Sequence, residues 1–167
     1  MINKIAKIII IVSCFAISSK LESQIIDIET SRKEDFVGTK VSLNIGFDGS
    51  SGTVDRTNYS VGTRFDFNTV NWNRFLIFDY SRREKDESIN EDNTFFHLRF
   101  ARKISSLLAA EFFIQNNEKP LEKIEERKLL GLGLRLSPIK DLRLGFGLFD
   151  ENEKRINLKE RNTTRIN

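Results

Sequence analysis

Residues Arg127 to Phe149 read RKLLGLGLRLSPIKDLRLGFGLF, and this segment alone indicates the fold class. Every second residue is apolar in two runs, and glycine or arginine occupies the positions between the apolar ones. The apolar positions are Leu130, Leu132, Leu134, Leu136, Leu142, Leu144, Phe146 and Leu148. Alternation with a period of two is typical of β-strands that have one apolar face. The SPIKD segment between the runs predicts a turn, because Pro138 fixes its own φ and has no backbone N–H to donate.

The same alternation recurs upstream of this segment. Apolar residues fall on alternate positions in five further segments, 41–47, 59–67, 72–80, 96–104 and 108–114. The pattern predicts about seven strands of roughly ten residues each. No segment has the pattern of an amphipathic helix. We therefore predict an all-β fold, an antiparallel up-and-down transmembrane β-barrel, in residues 38–150.

The connections between the predicted strands alternate in length. Long polar segments (DGSSGTVDRTN, RREKDESINEDN and NNEKPLEKIEER) alternate with short ones (FNTVNW, KISSL and SPIKD). In a meander this pattern places every long loop at one end, as in outer-membrane barrels. Aromatic residues near the strand ends are expected to form an interfacial girdle. They are Phe47, Tyr59, Phe67, Trp72, Tyr80 and Phe96. The apolar face is therefore predicted to contact outer-membrane lipid.

Residues 1–23 have the pattern of a secretory signal peptide, with MINKIAK as a positive start and IIIIVSCFAI as a short apolar run. Cleavage after Ser23 is the preferred site, and cleavage after Ser18 or Ser19 remains open. Removing residues 1–23 takes away three lysines and one glutamate, so the net charge falls from +3 to +1. This charge gives no basis for nucleic-acid binding. Cys14, the single cysteine, allows a second interpretation, an acylated lipoprotein N-terminus.

A secreted or periplasmic soluble barrel that binds an apolar ligand is the main alternative, because its strands also alternate. In such a barrel the apolar face points inward and the charged face points toward water. Glycines on the polar face favour the membrane barrel, since a crowded concave face accommodates them better than a water-facing strand does. They are Gly46, Gly62, Gly131, Gly133, Gly145 and Gly147.

The strand count raises a question about closure. Residues 24–37 form a polar lead-in, and residues 151–167 form a polar tail without alternation. Seven strands conflict with the even number found in bacterial barrels, and a sheet edge cannot stay open in lipid. The chain is therefore truncated, which is the preferred explanation, or it closes by oligomerisation with other copies, or one strand has been missed. As an outer-membrane barrel it is expected to need the barrel-assembly machinery for insertion.

Several predicted strands carry short motifs of charged, aromatic and glycine residues at alternate positions. They are His97 and Arg99; Glu111, Phe113 and Gln115; Arg127, Leu129, Gly131, Gly133 and Arg135; and Gly145, Gly147, Phe149 and Glu151. With these motifs the chain resembles, from about residue 38 onward, a family of bacterial outer-membrane proteins of unknown function. This family, domain of unknown function 481, includes the salt-stress-induced outer-membrane protein. The resemblance implies an outer-membrane β-barrel and no established activity.

The face opposite the apolar one is predicted to line the lumen. Pairing Ile104 with Leu108 across their short turn puts Ala101 and Glu111 opposite each other, near Arg99 and Lys103.

The second short turn is predicted to bring two arginines together. Pairing Leu136 with Leu142 puts Arg135 and Arg143 opposite each other, which is unfavourable unless a carboxylate lies between them. We therefore predict a lumen ionic network in which Glu111 supplies that carboxylate. Its members are Arg99, Lys103, Glu111, Arg135 and Arg143. The network either gives a narrow pore an anion preference or, in the simpler interpretation, consists of structural salt bridges in a small barrel.

Enzymatic chemistry is not indicated by the sequence. His97 is the single histidine, which excludes a His-rich metal cluster, and it has no serine and aspartate partners at recognisable spacing. We predict no catalytic, metal-binding or cofactor-binding residues and no cofactor. The predicted function is a structural or passive role in a Gram-negative-type envelope. A small channel for ions or polar solutes is the first alternative.

Overall fold

The computed structural model of the chain describes residues 36–139 and 142–166. These residues form eight β-strands and one 3-10 turn at Pro120–Glu122. The strands are β1 (Gly38–Ser50), β2 (Arg56–Asn68), β3 (Trp72–Lys85), β4 (Ser88–Lys103), β5 (Leu108–Lys119), β6 (Ile124–Ile139), β7 (Leu142–Arg155) and β8 (Arg161–Ile166). The predicted signal peptide, the lipidation of Cys14 and nearly all of the lead-in fall outside the described residues.

The eight strands form one antiparallel sheet in which each strand pairs with the next along the chain. This order confirms the predicted all-β, up-and-down architecture. Within residues 36–139 and 142–166, β1 and β8 do not pair with each other, so the sheet is open. No helix in this part of the chain is long and apolar enough to cross a membrane.

The last strand, β8, lies in the segment that the sequence predicts to be an irregular tail. It pairs with the second half of β7, and β7 itself continues to Arg155. The pattern of apolar residues misses both features because the alternating residues here are charged and polar. Glu151 and Glu153 lie on one face of β7, where they are opposite Thr163 and Arg161. The described residues therefore contain eight strands, one more than the predicted number of about seven, and β8 is the missed strand that the sequence left open.

The long loops predicted from the polar segments are mostly extensions of the strands. Within the described residues, the connections cover only 51–55, 69–71, 86–87, 104–107, 120–123 and 156–160. Cross-strand ion pairs hold the polar extensions together. Arg82 pairs with Asp92, and Lys154 pairs with Glu125. We call the end of the sheet with 51–55, 86–87, 120–123 and 156–160 the loop end, and the opposite end the turn end.

The β6–β7 hairpin differs from the predicted SPIKD turn. Strand β6 continues through Pro138 to Ile139, which pairs with Leu142, and the register shifts between Leu136 and Ile139. A proline is accommodated at such an irregularity because the ladder does not need its missing N–H there. As a result Leu136 lies opposite Leu144, two residues further along β7 than predicted.

The two faces of the sheet differ sharply in exposure. One face, which we call the buried face, contains most of the buried side chains, and many of them are polar: His97 is 0% exposed and Glu151 is 1% exposed. The other, the exposed face, is apolar: Ile45 is 73% exposed and Leu132 is 63% exposed. The described residues form a single sheet, and its strands place these buried side chains on one face.

The apolar residues of the exposed face form an oblique band. One row of paired residues crosses the sheet as Val41, Phe65, Leu76, Leu98, Ile114, Leu130 and Asp150. On β1 the apolar residues continue six residues beyond this row to Phe47, whereas on β7 they stop two residues short of it at Leu148. The band therefore shifts by eight residues over six strand pairs. With about 3.3 Å per residue and about 4.8 Å between strands, this shift corresponds to strands tilted by about 40° from the normal to the band.

Candidate functional site

Glu111 lies between two arginines on the buried face. Its Oε2 is 3.4 Å from an Nη1 nitrogen of Arg99 on β4, and its Oε1 is 3.2 Å from Nε of Arg135 on β6. All three side chains are about nine-tenths buried. The carboxylate on β5 therefore joins three neighbouring strands through charge-assisted contacts.

The structure brings together three of the five residues of the predicted lumen network. Ala101 lies opposite Glu111, as the sequence predicts. Lys103 is exposed near the turn end, and within the described residues it makes no ion pair.

The predicted pairing of Arg135 with Arg143 is wrong. Arg135 lies opposite Gly145, because β6 continues past Pro138 and shifts the register of β7. The side chain of Arg143 falls outside the described residues. The positive charge of Arg135 therefore faces a glycine across β6 and β7, while Glu111 approaches it from β5.

Two glycines near Glu111 lie closely against the backbone of the neighbouring strand. Gly133 lies opposite Glu111 on one side and opposite Gly147 on the other. A Cβ at Gly133 would approach the backbone oxygen of Phe146 to 3.2 Å, and one at Gly147 would approach that of Leu132 to the same distance. These contacts are tighter than most real Cβ contacts, so the backbone here has little room for larger residues.

His97 stands at the centre of an aromatic cluster on the buried face. Its ring is stacked with those of Phe75, Phe95 and Phe113, at centroid distances of 5.6, 6.2 and 5.8 Å. Nδ1 of His97 lies 3.2 Å from Oε1 of Gln115, directly opposite on β5, and a hydrogen bond to this amide oxygen requires the proton on Nδ1. The cluster gives His97 a structural role.

A second carboxylate centre, which the sequence analysis missed, lies on β6, β7 and β8. Oε1 of Glu151 accepts a hydrogen bond of 2.9 Å from Nε of Arg127, and its Oε2 is 2.8 Å from an Nη2 nitrogen of Arg165. Arg127 also lies 3.6 Å from Glu153. Glu151 and Glu153 are almost completely buried. The signal that could have found this centre is the charged alternation of 149–153 and 161–165, which continues the buried face beyond the apolar segments.

A third ion pair, also missed, lies on β2. Asp66 is fully buried, and Arg64 donates to both of its carboxylate oxygens, over 2.8 Å from Nε and 2.6 Å from Nη2. The guanidinium group of Arg64 also lies 4.8 Å from the ring centroid of Phe75. Nearer the turn end, Asn73 donates a 2.8 Å hydrogen bond to Asn68. Charged and amide side chains are therefore buried on this face from β2 to β7, together with apolar ones such as Phe75 and Leu129.

The charged groups of the described buried face form arginine–carboxylate pairs. Within the described residues, no group of three or more His, Cys, Asp or Glu side chains could hold a metal ion. Glu111, Glu151 and Glu153 are paired with arginines on neighbouring strands, which gives cross-strand bracing, whereas Asp66 pairs with Arg64 on its own strand. All the residues of the resemblance motifs from His97 to Arg135 share this face.

Comparison with known families agrees with the motifs on the buried face. The family described as "Protein of unknown function, DUF481" matches residues 43–148, which is more than half of the chain. The chain belongs to this family. The matched residues include Glu111 with both of its arginines, whereas Glu151 and β8 lie beyond them. Searches of curated proteins and of solved structures found no match.

Proposed function

We propose that this DUF481 chain forms the wall of an outer-membrane β-barrel with a packed interior, and that its role in the envelope is structural and passive. The observation that carries the proposal is the inverted burial, with apolar side chains exposed and ion pairs buried. Soluble proteins rarely expose a continuous apolar surface of this kind. Membrane barrels do so, because their outer face contacts lipid and their inner face is polar.

The oblique band supports the same proposal. A tilt of about 40° agrees with the roughly 35–45° of strands in transmembrane barrels. The band also has aromatic residues at both of its ends on the exposed face. Phe47 and Tyr59 contact each other toward the loop end, with ring centroids 5.4 Å apart, and Trp72 lies at the turn end. Aromatic side chains of this kind favour the interface between membrane and water.

Burial of charged side chains favours a filled interior over a water-filled one. A conducting pore keeps its charged lining hydrated, whereas here Asp66, His97 and Glu151 are almost completely inaccessible to water. A narrow ion channel is the second candidate, because charged groups line the buried face from β2 to β8. Single-channel conductance of the inserted protein separates the two candidates, since a filled barrel gives no steady current.

A soluble barrel around an apolar ligand fits the structure less well. It requires the apolar side chains on the inner face, and the structure has them on the exposed face. An apolar ligand bound on the buried face would place apolar atoms against the paired carboxylates and arginines and exclude water from them, which is costly.

Insertion in lipid also requires partners for the two edges of the sheet, because hydrocarbon cannot hydrogen-bond to free backbone groups. We therefore propose that β1 pairs with β8 of the same chain in the membrane, or that these edge strands pair with those of another copy of the chain. Cysteine cross-linking between the edge strands distinguishes these arrangements, since the first gives a cross-linked monomer and the second a dimer.

The test is fractionation of expressing cells, followed by gel migration of the outer-membrane fraction with and without boiling. We expect the chain in that fraction and a band that shifts on heating, as a detergent-resistant barrel gives. Depletion of the barrel-assembly machinery is expected to remove the chain from the fraction. Recovery in the soluble periplasmic fraction, without a heat-dependent shift, would refute the proposal.

A further inference from the structure

Two arginines meet at the single tryptophan of the chain, on the exposed face at the turn end. The guanidinium carbon of Arg74 lies 5.8 Å from the ring of Trp72, and that of Arg102 lies 5.4 Å from it. Arg102 is paired with Trp72 across β3 and β4, and Arg74 also lies 4.1 Å from the ring of Phe67. Cation–π contacts of this kind hold both arginines in place beside the aromatic rings.

Within the described residues, no carboxylate pairs with either of these two positive charges. Neither Arg74 nor Arg102 forms a salt bridge within the described residues. Beyond the row of Val41, toward the turn end, the described part of the exposed face moreover contains no aspartate or glutamate. Both guanidinium groups contact the same indole ring, so an anion beside that ring is attracted by two positive charges. The arrangement therefore has the electrostatic character of an anion site.

The site has a depression beside it that can hold more than a single anion. Its volume is about 790 Å³, and the residues that line it include Thr69, Val70, Asn71, Trp72, Arg102 and Ile104. Hydroxyl, amide and cationic groups therefore meet apolar ones along its wall. This mixture suits a ligand that is charged at one end and apolar at the other.

We infer that Trp72, Arg74 and Arg102 bind the phosphate group of an anionic membrane phospholipid. Planar guanidinium groups bind phosphate oxygens in pairs, and an indole ring favours the level of lipid headgroups. The apolar band directly adjoins the site, so the acyl chains of the same lipid can lie along it. This inference rests on the proposed insertion in a membrane.

Trp72 is the only tryptophan, so its fluorescence reports on this site alone. The processed chain is inserted into two kinds of vesicle that have the same bromine content. In the first, the vesicles are phosphatidylcholine and contain brominated phosphatidylglycerol. In the second, the phosphatidylcholine is brominated instead. Bromine atoms near the headgroup quench a tryptophan that contacts them. We expect several-fold stronger quenching by the anionic lipid, with the difference decreasing as salt is added.

The variant that tests the site is Arg74→Gln combined with Arg102→Gln. We expect it to retain the heat-dependent gel shift and to lose the preference for brominated phosphatidylglycerol. The matched control is Arg56→Gln with Arg83→Gln, which removes the same charge at the loop end and is expected to retain the preference. If the double variant does not insert, Arg102→Gln alone carries the test, because Arg102 is exposed.

The outcomes separate this inference from the proposed function. Equal quenching by both brominated lipids in a chain that shows the heat-dependent shift would overturn the lipid site and leave the barrel intact. Quenching by neither lipid, without a shift, would overturn both. Loss of the preference on adding inorganic phosphate at constant ionic strength would show a site for free phosphate, which contradicts the assignment to a lipid.

Discussion

Phe113 and Gly131 lie directly opposite each other on β5 and β6, and the ring of Phe113 occupies the space that a side chain at position 131 would need. The ring is held there from two other sides. It stacks with His97, and the guanidinium group of Arg99 lies 5.1 Å from its centroid. Gly131 therefore sets the position of the Phe113 ring. This ring contacts Arg99, one of the two arginines that pair with Glu111; we call Glu111, Arg99 and Arg135 the Glu111 centre.

Replacement of Gly131 by Ala is expected to destabilise the protein by about 1–3 kcal/mol, because overpacking forces the Phe113 ring away from its neighbours. The measurement is the midpoint of urea unfolding of the inserted protein. Gly145→Ala is the matched control, since a Cβ there meets no atom within 4 Å. Equal midpoints for the two variants would mean that the ring moves without cost.

The exposed face was predictable from the sequence because its residues are apolar and its period is two. Each of the segments from Val41 to Leu148 forms a strand with the predicted residues on one face, except that Ile104 follows the end of β4. The pairing of Ala101 with Glu111 was also predictable, since a short turn joins β4 and β5 and fixes the register of the two strands.

The errors arise where polar residues alternate. Charged segments were predicted to be loops. A polar strand nevertheless forms when cross-strand ion pairs replace apolar contacts, as Glu153 and Arg161 do on β7 and β8. Pro138 caused the second error, because a ladder with an irregularity can continue past a proline. The centre at Glu151 was not predicted because it lies in a charged segment that was predicted to be irregular. No apolar pattern distinguishes an inward carboxylate from a solvated one.

Replacement of Glu111 by Ala is expected to cost about 3–5 kcal/mol of unfolding free energy, because it leaves two buried arginines without the carboxylate that joins them. The measurement is again urea unfolding of the inserted protein. Glu125→Ala is the control, since Glu125 pairs with Lys154 in a half-exposed position and its loss is expected to cost at most about 1 kcal/mol. Similar losses for both variants would show that the Glu111 centre contributes no more than a surface ion pair.

Replacement of Leu132 by Arg tests the environment of the exposed face. In the centre of a lipid-facing band, an arginine is expected to cost about 2–4 kcal/mol of folding free energy in bilayers. Asn152→Arg is the control, because Asn152 lies beyond the band and already contacts Glu160 and Asn162. The measurement is the fraction of heat-shifted protein recovered from vesicles over a urea series. If Leu132→Arg instead increases the yield of soluble protein and leaves its unfolding unchanged, the exposed face contacts water.

Cysteine pairs test the register of β6 and β7, which places Gly145 opposite Arg135. Leu136 lies opposite Leu144, so Leu136→Cys with Leu144→Cys places two Cα atoms about 4.5–5.5 Å apart, within the range of a disulfide. Leu136→Cys with Leu142→Cys gives the register predicted from the sequence, and in the structure that pair is diagonal, with Cα atoms about 7–8 Å apart. Both pairs are placed in a Cys14→Ser background, which removes the single native thiol.

The measurement is mild oxidation followed by thiol labelling of the unfolded chain. We expect a disulfide in the variant with cysteines at positions 136 and 144. We expect free thiols in the variant with cysteines at positions 136 and 142. The reverse result would restore the predicted register, with Arg135 opposite Arg143 beside Glu111.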